Sequence, residues 1–211
     1  MYLLVASLLR VQVASIVILS MVTFSYQNPA EALFQGAGRI ALYNNLFVNT
    51  EGVGRAINIM PHEGRRPETV DIFHNTVVAS DLGIGIWDTR PEDRQWVAAN
   101  AVFARRPIHG GMRAWNITGK LADAEKYLNA PLARIGVLDL YPRSGRLEVA
   151  DIPIGALIEY EDADKDFNGW ARWAGFVGAY TGSGENPGWQ LGIARWPSPG
   201  GRPSPRPDSA R

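Results

Sequence analysis

The stretch GRIALYNNLFVN, residues 38–49, sets two short apolar runs on either side of Asn45. A similar phrase returns as TVDIFHNTVVAS (69–80) around Asn75, and a weaker one as WVAANAVFARR (96–106) around Asn100. The pivots lie 30 and 25 residues apart. Between them stands a second apolar element, GRAINIM (54–60) and then LGIGIW (82–87). Placing Ile57 on Ile84 also places Ile59 on Ile86, a spacing of 27. A further element, MRAWNIT (112–118), follows the third pivot. Self-similarity at such a period marks a repeat architecture. The runs are short and β-branched or alternating. The connections PHEGRRPE (61–68) and DTRPEDRQ (88–95) carry Gly, Pro and charge, and helical spacing is absent from 38 to 118.

A unit this small cannot bury its own apolar face. Stacked units can, because each backbone then bonds to the units above and below at about 4.8 Å. The recurring Asn fits a sharp bend between two strands. Asn tolerates left-handed backbone better than other residues with a side chain, and its amide bonds locally. In a stack, the amides can also bond one another. Asn is therefore expected to hold the left-handed position of each bend.

The units resemble those of right-handed parallel β-helix proteins, the pectate-lyase-like superfamily, in the phrases YNNLFVN and FHNTVVAS. The segment 141–180 is similar to the closing segment of many secreted members, where an acidic turn, a Gly, an Arg and a "GAY" follow in order. Here these are Asp166, Gly169, Arg172 and Gly178-Ala179-Tyr180. The resemblance implies an all-β fold, a right-handed parallel β-helix (solenoid) of about three or more rungs with a C-terminal closing segment. It also implies a protein that binds a polysaccharide along one outer sheet face or modifies it, as a polysaccharide lyase or glycoside hydrolase would. Family members usually carry many more rungs ahead of the closing segment, so this chain reads as a short helix or the C-terminal part of a longer ancestor. Residues 119–130, with good helix formers, are expected to form a short helix after the last rung.

A length of 211 residues suits one domain with appendages. The division expected is an apolar segment 1–32, the β-helix 33–194, and a tail 195–211. The tail holds five prolines, four arginines and few apolar side chains, a composition that favours disorder. The 21 basic and 21 acidic side chains cancel, which excludes the footprint of a nucleic-acid binder. With no Cys there is neither a disulfide framework nor a thiolate zinc site. In residues 1–24 Arg10 is the only charge. Three readings of this segment stand. It is an export signal or anchor with AEA (30–32) as a small-residue cleavage site, it is β-strand that covers the first rung, or it stems from a mis-set gene start. Under the first, the protein is secreted or held in the cell envelope, and any membrane contact runs through residues 1–24.

Alternation points Ile57, Ile59, Ile84 and Ile86 inward. Ala56, Asn58, Met60, Gly83, Gly85 and Trp87 then face out, with Asn58 beside Gly85. Loops 61–67 and 88–95 border this face. A saccharide site follows: Trp87 to stack on a sugar ring, and Asn58, His62, Asp88 and Arg90 to bond its hydroxyls or a uronate carboxylate. The competing expectation is that Trp87 packs beneath its own loop. No lyase or hydrolase signature is present, so a non-catalytic structural or surface-adhesion module stands as the alternative. Asp164, Asp166, Asn168 and Gly169 match the first half of a calcium loop, which makes Ca2+ a candidate cofactor at Asp164, Asp166 and Asn168. The twelfth position is Gly175, where that loop needs Glu. The alternative is a structural turn in which Arg172 pairs with an Asp.

Overall fold

A computed structural model describes residues 10–12, 15–19, 22–24, 32–35, 38–61, 66–134, 136–150, 152, 160, 162–173 and 175–188. Of the proposed cleavage site only Ala32 is among these residues, and the 195–211 tail and His62 lie outside them. The chain is all-β with almost no helix. After a short strand β1 (Arg10–Gln12), it lays down β2 (Ser15–Leu19), β3 (Val22–Phe24) and β4 (Ala32–Gln35). The next pass is β5 (Gly38–Tyr43), β6 (Leu46–Asn49) and β7 (Arg55–Met60). Then come β8 (Pro67–Phe73), β9 (Thr76–Ala79) and β10 (Leu82–Ile86), followed by β11 (Arg94–Ala98), β12 (Ala101–Phe103) and β13 (Arg106–His109). The last pass is β14 (Met112–Ala114) and β15 (Ile117–Gly119).

Each pass before the last places one strand in each of three sheets, and the last pass adds a strand to two of them. Their orders are β1-β2-β5-β8-β11-β14, β13-β10-β7-β4 and β15-β12-β9-β6-β3. Pairing between passes is parallel throughout, and only β1 joins its sheet antiparallel. Ile57 pairs with Ile84 and Ile59 with Ile86, the register expected from the 27-residue spacing. Residues 15–24, one of whose readings was a signal, contribute β2 and β3, which pair with β5 and β6. After β15 a turn of 3-10 helix (Leu121–Asp123) leads into the expected short helix α1 (Ala124–Tyr127), then a ribbon of β16 (Leu128–Ala130) and β17 (Asp139–Pro142). No helix among the described residues is long and apolar enough to cross a membrane.

Apolar side chains inside the three sheets form one cluster, among them Leu42, Phe47, Ile57, Ile84, Val97 and Val102. Ala56 belongs to this interior, and a Cβ on Gly83 would strike Val102, so both positions face inward and not outward as alternation had suggested. They sit next to the corner that leads from the second strand to the third, where strict alternation breaks. A second cluster lies outside. There Leu46, Val78 and Phe103 of one sheet pack against Leu128, Leu140 and Tyr180 of the C-terminal region.

The Asn column runs through four passes. The Nδ2 of Asn45, Asn75 and Asn100 donates to Oδ1 of Asn75, Asn100 and Asn116 at 3.0, 2.9 and 3.0 Å. The backbone N–H of Asn45, Asn75 and Asn100 donates to the same three oxygens at 3.1, 2.9 and 2.9 Å. Asn116 is a fourth pivot. The left-handed position, however, belongs to the residue before each Asn: φ is +57° at Asn44, +53° at His74, +53° at Ala99 and +53° at Trp115. The reason lies in the amide. Asn45 Nδ2 reaches back to Tyr43 O, Asn75 Nδ2 to Phe73 O and Asn100 Nδ2 to Ala98 O, each bridging the left-handed residue between. The bend's strain, about 1–2 kcal/mol at a residue with a side chain, is thus held by a neighbour's hydrogen bonds.

Asn75, fully buried with its amide engaged above and below, is expected to matter most. Asn75→Ala strands Asn45 N–H and the Asn100 side of the column in a buried setting. It should lower unfolding free energy by about 3 kcal/mol, against about 1 kcal/mol for Asn116→Ala at the end of the column. Urea unfolding of the two variants measures the difference.

Candidate functional site

The face carrying Asn58 and Trp87 is closed by its own side chains. Asn58 is fully buried. Its Oδ1 accepts the Trp87 Nε1–H, and its Nδ2 donates to Met60 Sδ at 3.4 Å. Gly85, beside Asn58 in register, leaves room on the outer surface that Leu82, Trp87 and Asn58 fill. The indole folds into that room, and once covered its N–H requires an acceptor. Trp87 also lies on the His109 ring, with centroids 4.2 Å apart. His109 is the last residue of β13. Asn58 and the half-buried Trp87 are thus engaged with each other and with His109 across adjacent passes. Asp88 and Arg90 are exposed on the turn that follows, with Asp88 at φ +57° where the chain leaves β10.

The two bordering loops do meet. Arg66 Nε and Nη2 donate to Asp93 Oδ2 and Oδ1 at 2.8 and 3.1 Å, and Glu92 lies 3.5 Å from the same guanidinium. Arg66 holds the Asp93 carboxyl below its usual range. Similar ties join other passes. Asp81 accepts from Arg105 and, at 2.6 Å, from Arg106, which hold its carboxyl below the usual range. Buried Asp71 accepts the Tyr160 hydroxyl and has Arg94 at 3.3 Å and Arg39 at 3.7 Å. Burial, followed by the hydrogen bond to Asp71, pushes the Tyr160 phenol well up, so it stays protonated.

Beside this turn lies a hollow of about 430 Å3, lined by Thr89, Arg90, Asp93, Gln95, Gly110 and Met112 among others. Gln95 is 3% exposed. Its Nε2 reaches Pro67 O at 3.5 Å, and its Oε1, also buried, has no hydrogen-bond partner. Arg90 makes no ion pair among the described residues. The hollow therefore offers an amide acceptor, a hydroxyl and a guanidinium. Its lone acid among the described lining residues, Asp93, is tied to Arg66. Comparisons with family models, with curated proteins and with solved structures find no match. The site must be judged on its own geometry. Gln95 carried no signal in the sequence, since a polar residue in the RQWVA strand reads as solvent-facing; the register that sets it beside Val70 in the interior column shows otherwise.

The acidic stretch folds as a structural turn. Asp166 is buried, its Oδ1 taking the N–H of Asn168 and Trp170 at 2.8 and 3.0 Å and its Oδ2 that of Thr181 at 3.1 Å. Asp164 is exposed, and Asn168 is half-buried. No group of three His, Cys, Asp or Glu able to hold a metal occurs among the described residues. Asp166, one of the three residues expected at a Ca2+ site, is thus engaged by backbone donors within the turn.

Arg172 also departs from expectation. Its guanidinium bonds Gly178 O at 3.2 Å, Ala179 O at 2.9 Å and Asn44 Oδ1 at 2.9 Å, not a carboxylate. Burial brings its pKa down to about 10, with the charge of Asp166 opposing, so it remains a cation at neutral pH. Through it the closing segment grips the left-handed column. Gly178 N–H bonds Ala99 O at 2.9 Å and Ala179 N–H bonds Thr76 Oγ1 at 2.9 Å. Gly178, at φ +85° and pressed against Thr76 Oγ1, admits no side chain.

His74 lies under this segment, fully buried, with neither ring nitrogen hydrogen-bonded. Burial, and then the Arg172 charge, push its pKa well below the usual value. The folded state therefore keeps it neutral, whereas the unfolded chain protonates it near pH 6.5. Stability is full above about pH 6.5 and falls below it by about 1.4 kcal/mol per pH unit, because the unfolded state binds the extra proton. Unfolding at pH 7 and at about pH 5.5 measures this fall. His74→Asn, matching Asn44 one pass earlier, should remove most of it.

Proposed function

We propose that the chain is a right-handed parallel β-helix that works outside the cell or in its envelope and binds an acidic polysaccharide without cleaving it. The observation that carries this reading is the hollow between the turn 89–93 and the turn 110–111. There a buried, unpartnered Gln95 carbonyl oxygen stands near Arg90, which has no ion pair among the described residues. A buried acceptor left unmet favours a ligand that brings a hydroxyl. A guanidinium at the rim favours a carboxylate, which it can meet with two parallel N–H bonds. A uronate ring carries both groups. The resemblance of 38–49, 69–80 and 141–180 to secreted β-helix proteins supports the handedness, the location and the class of partner, as an argument from likeness of fold. The location rests on that likeness alone, because residues 15–24 pair within the stack.

Calorimetric titration with oligogalacturonates is the test. Binding is expected to weaken about tenfold in Arg90→Ala, equal to about 1.4 kcal/mol. It should also weaken with added salt, and uncharged oligosaccharides of equal length should bind less well. Reducing ends and absorbance of the ligand should stay constant on long incubation. Binding indifferent to Arg90, or absent with every acidic glycan in a broad panel, would leave the structural or adhesion module as the better reading.

A further inference from the structure

The stack stops at an end that is built differently from its middle. Among the described residues β14, β13 and β15 are the last strands of their three sheets, which leaves three parallel edges unpaired there at the same end. In the six-stranded sheet the interior column runs Leu42, Ile72, Val97 and then Arg113. In the five-stranded sheet it runs Phe47, Val77, Val102 and then Thr118. Arg113 and Thr118 are exposed and make no ion pair or hydrogen bond among the described residues. They line a hollow of about 330 Å3 at this end, together with Ile108, Trp115 and Asn116. A cation thus stands where the previous passes put an aliphatic side chain. Charges pointing inward at a sheet end are a known way to stop indiscriminate edge pairing.

The Asn column is also incomplete here in a particular way. Asn100 Nδ2 bonds Ile72 O, Ala98 O and Asn116 Oδ1, and its backbone N–H bonds Asn116 Oδ1 as well. Asn116 Nδ2 bonds Val97 O at 2.8 Å, and its backbone N–H has no partner among the described residues. What is missing is the bond that the next Asn carbonyl would make to the N–H groups of Asn116. Arg113 lies three residues ahead of Asn116, as Val97 does of Asn100.

We infer that this end binds an extended segment of a partner protein, added as one more strand beside β14, with an acidic residue three positions before an Asn. The Asn carbonyl accepts from Asn116, the acid meets Arg113, and the backbone between them pairs with the open edge. A second copy of this chain is a poor occupant, since two such ends face to face oppose Arg113 to Arg113. The 195–211 tail is equally poor, having four arginines and five prolines that remove backbone donors.

Fluorescence anisotropy of a labelled, β-branched peptide carrying Glu three residues before Asn, titrated with the full chain, tests the assignment. Saturable binding is expected, weakened about tenfold by Asn→Leu or Glu→Lys in the peptide. Arg113→Glu should reject the Glu peptide and accept the Lys peptide, a swap that loss of folding cannot mimic. No binding, or binding blind to these changes, overturns the inference. So does competition by a peptide of residues 195–211, which would give the end to the chain's own tail. Self-association abolished by Arg113→Glu overturns it in favour of a second copy.

Discussion

The structure depends on one hydrogen-bonded column. Four asparagine amides, at 45, 75, 100 and 116, bond one another and the backbone on either side of each bend. All the strands of the stack are short, and a slip of one residue would exchange their inner and outer faces. The column removes that freedom. An amide that must accept from the pass before it and donate to the pass after it fits only one alignment. The isoleucine columns inside the adjacent sheet then follow, Ile57 over Ile84 and Ile59 over Ile86. Apolar burial supplies most of the driving force, and the amides decide which arrangement it selects.

The closing segment is organised around the same bends. Its buried cation, Arg172, touches carbonyl oxygens and the Asn44 side chain, while Asp166 supports it from beyond ion-pair distance and serves three backbone N–H groups. A buried charge is tolerable only when its donors are met, and here most are, although Nε is not. His74 shares this enclosure as a neutral ring. Elsewhere charge is used differently. Asp71, Asp81 and Asp93 each draw arginines from another pass, so the acids act as ties between levels and not as free groups on a surface.

Much of this fold was legible in the residues. The repeat spacing predicted the interior isoleucines and their register. Asn116 escaped because the two-glycine turn at 110–111 shortens the last period to 16 residues, far from the 25–30 of the others. The left-handed residue was misplaced by one position because propensity names the residue able to bear strain, whereas tertiary hydrogen bonds let Ala99 and Trp115 bear it. The site was less legible still. Asn58 and Trp87 satisfy each other, a contact between passes that depends on the space above Gly85. Gln95 lacks a partner for a reason visible only in three dimensions. Arg90 alone, of the side chains proposed for a sugar, lines the hollow the structure describes.

The docking of the closing segment has an evolutionary consequence. It fastens to Asn44, Thr76 and Ala99, residues on three successive levels, and so works as a ruler laid against the last part of the stack. A duplicated unit inserted between those levels would push the fastening points out of reach, by about 4.8 Å for each unit. Units gained ahead of residue 38 would disturb none of them. In a lineage built this way, length should vary at the amino-terminal side, while the three levels from β5 to β13 and their clasp change together or not at all.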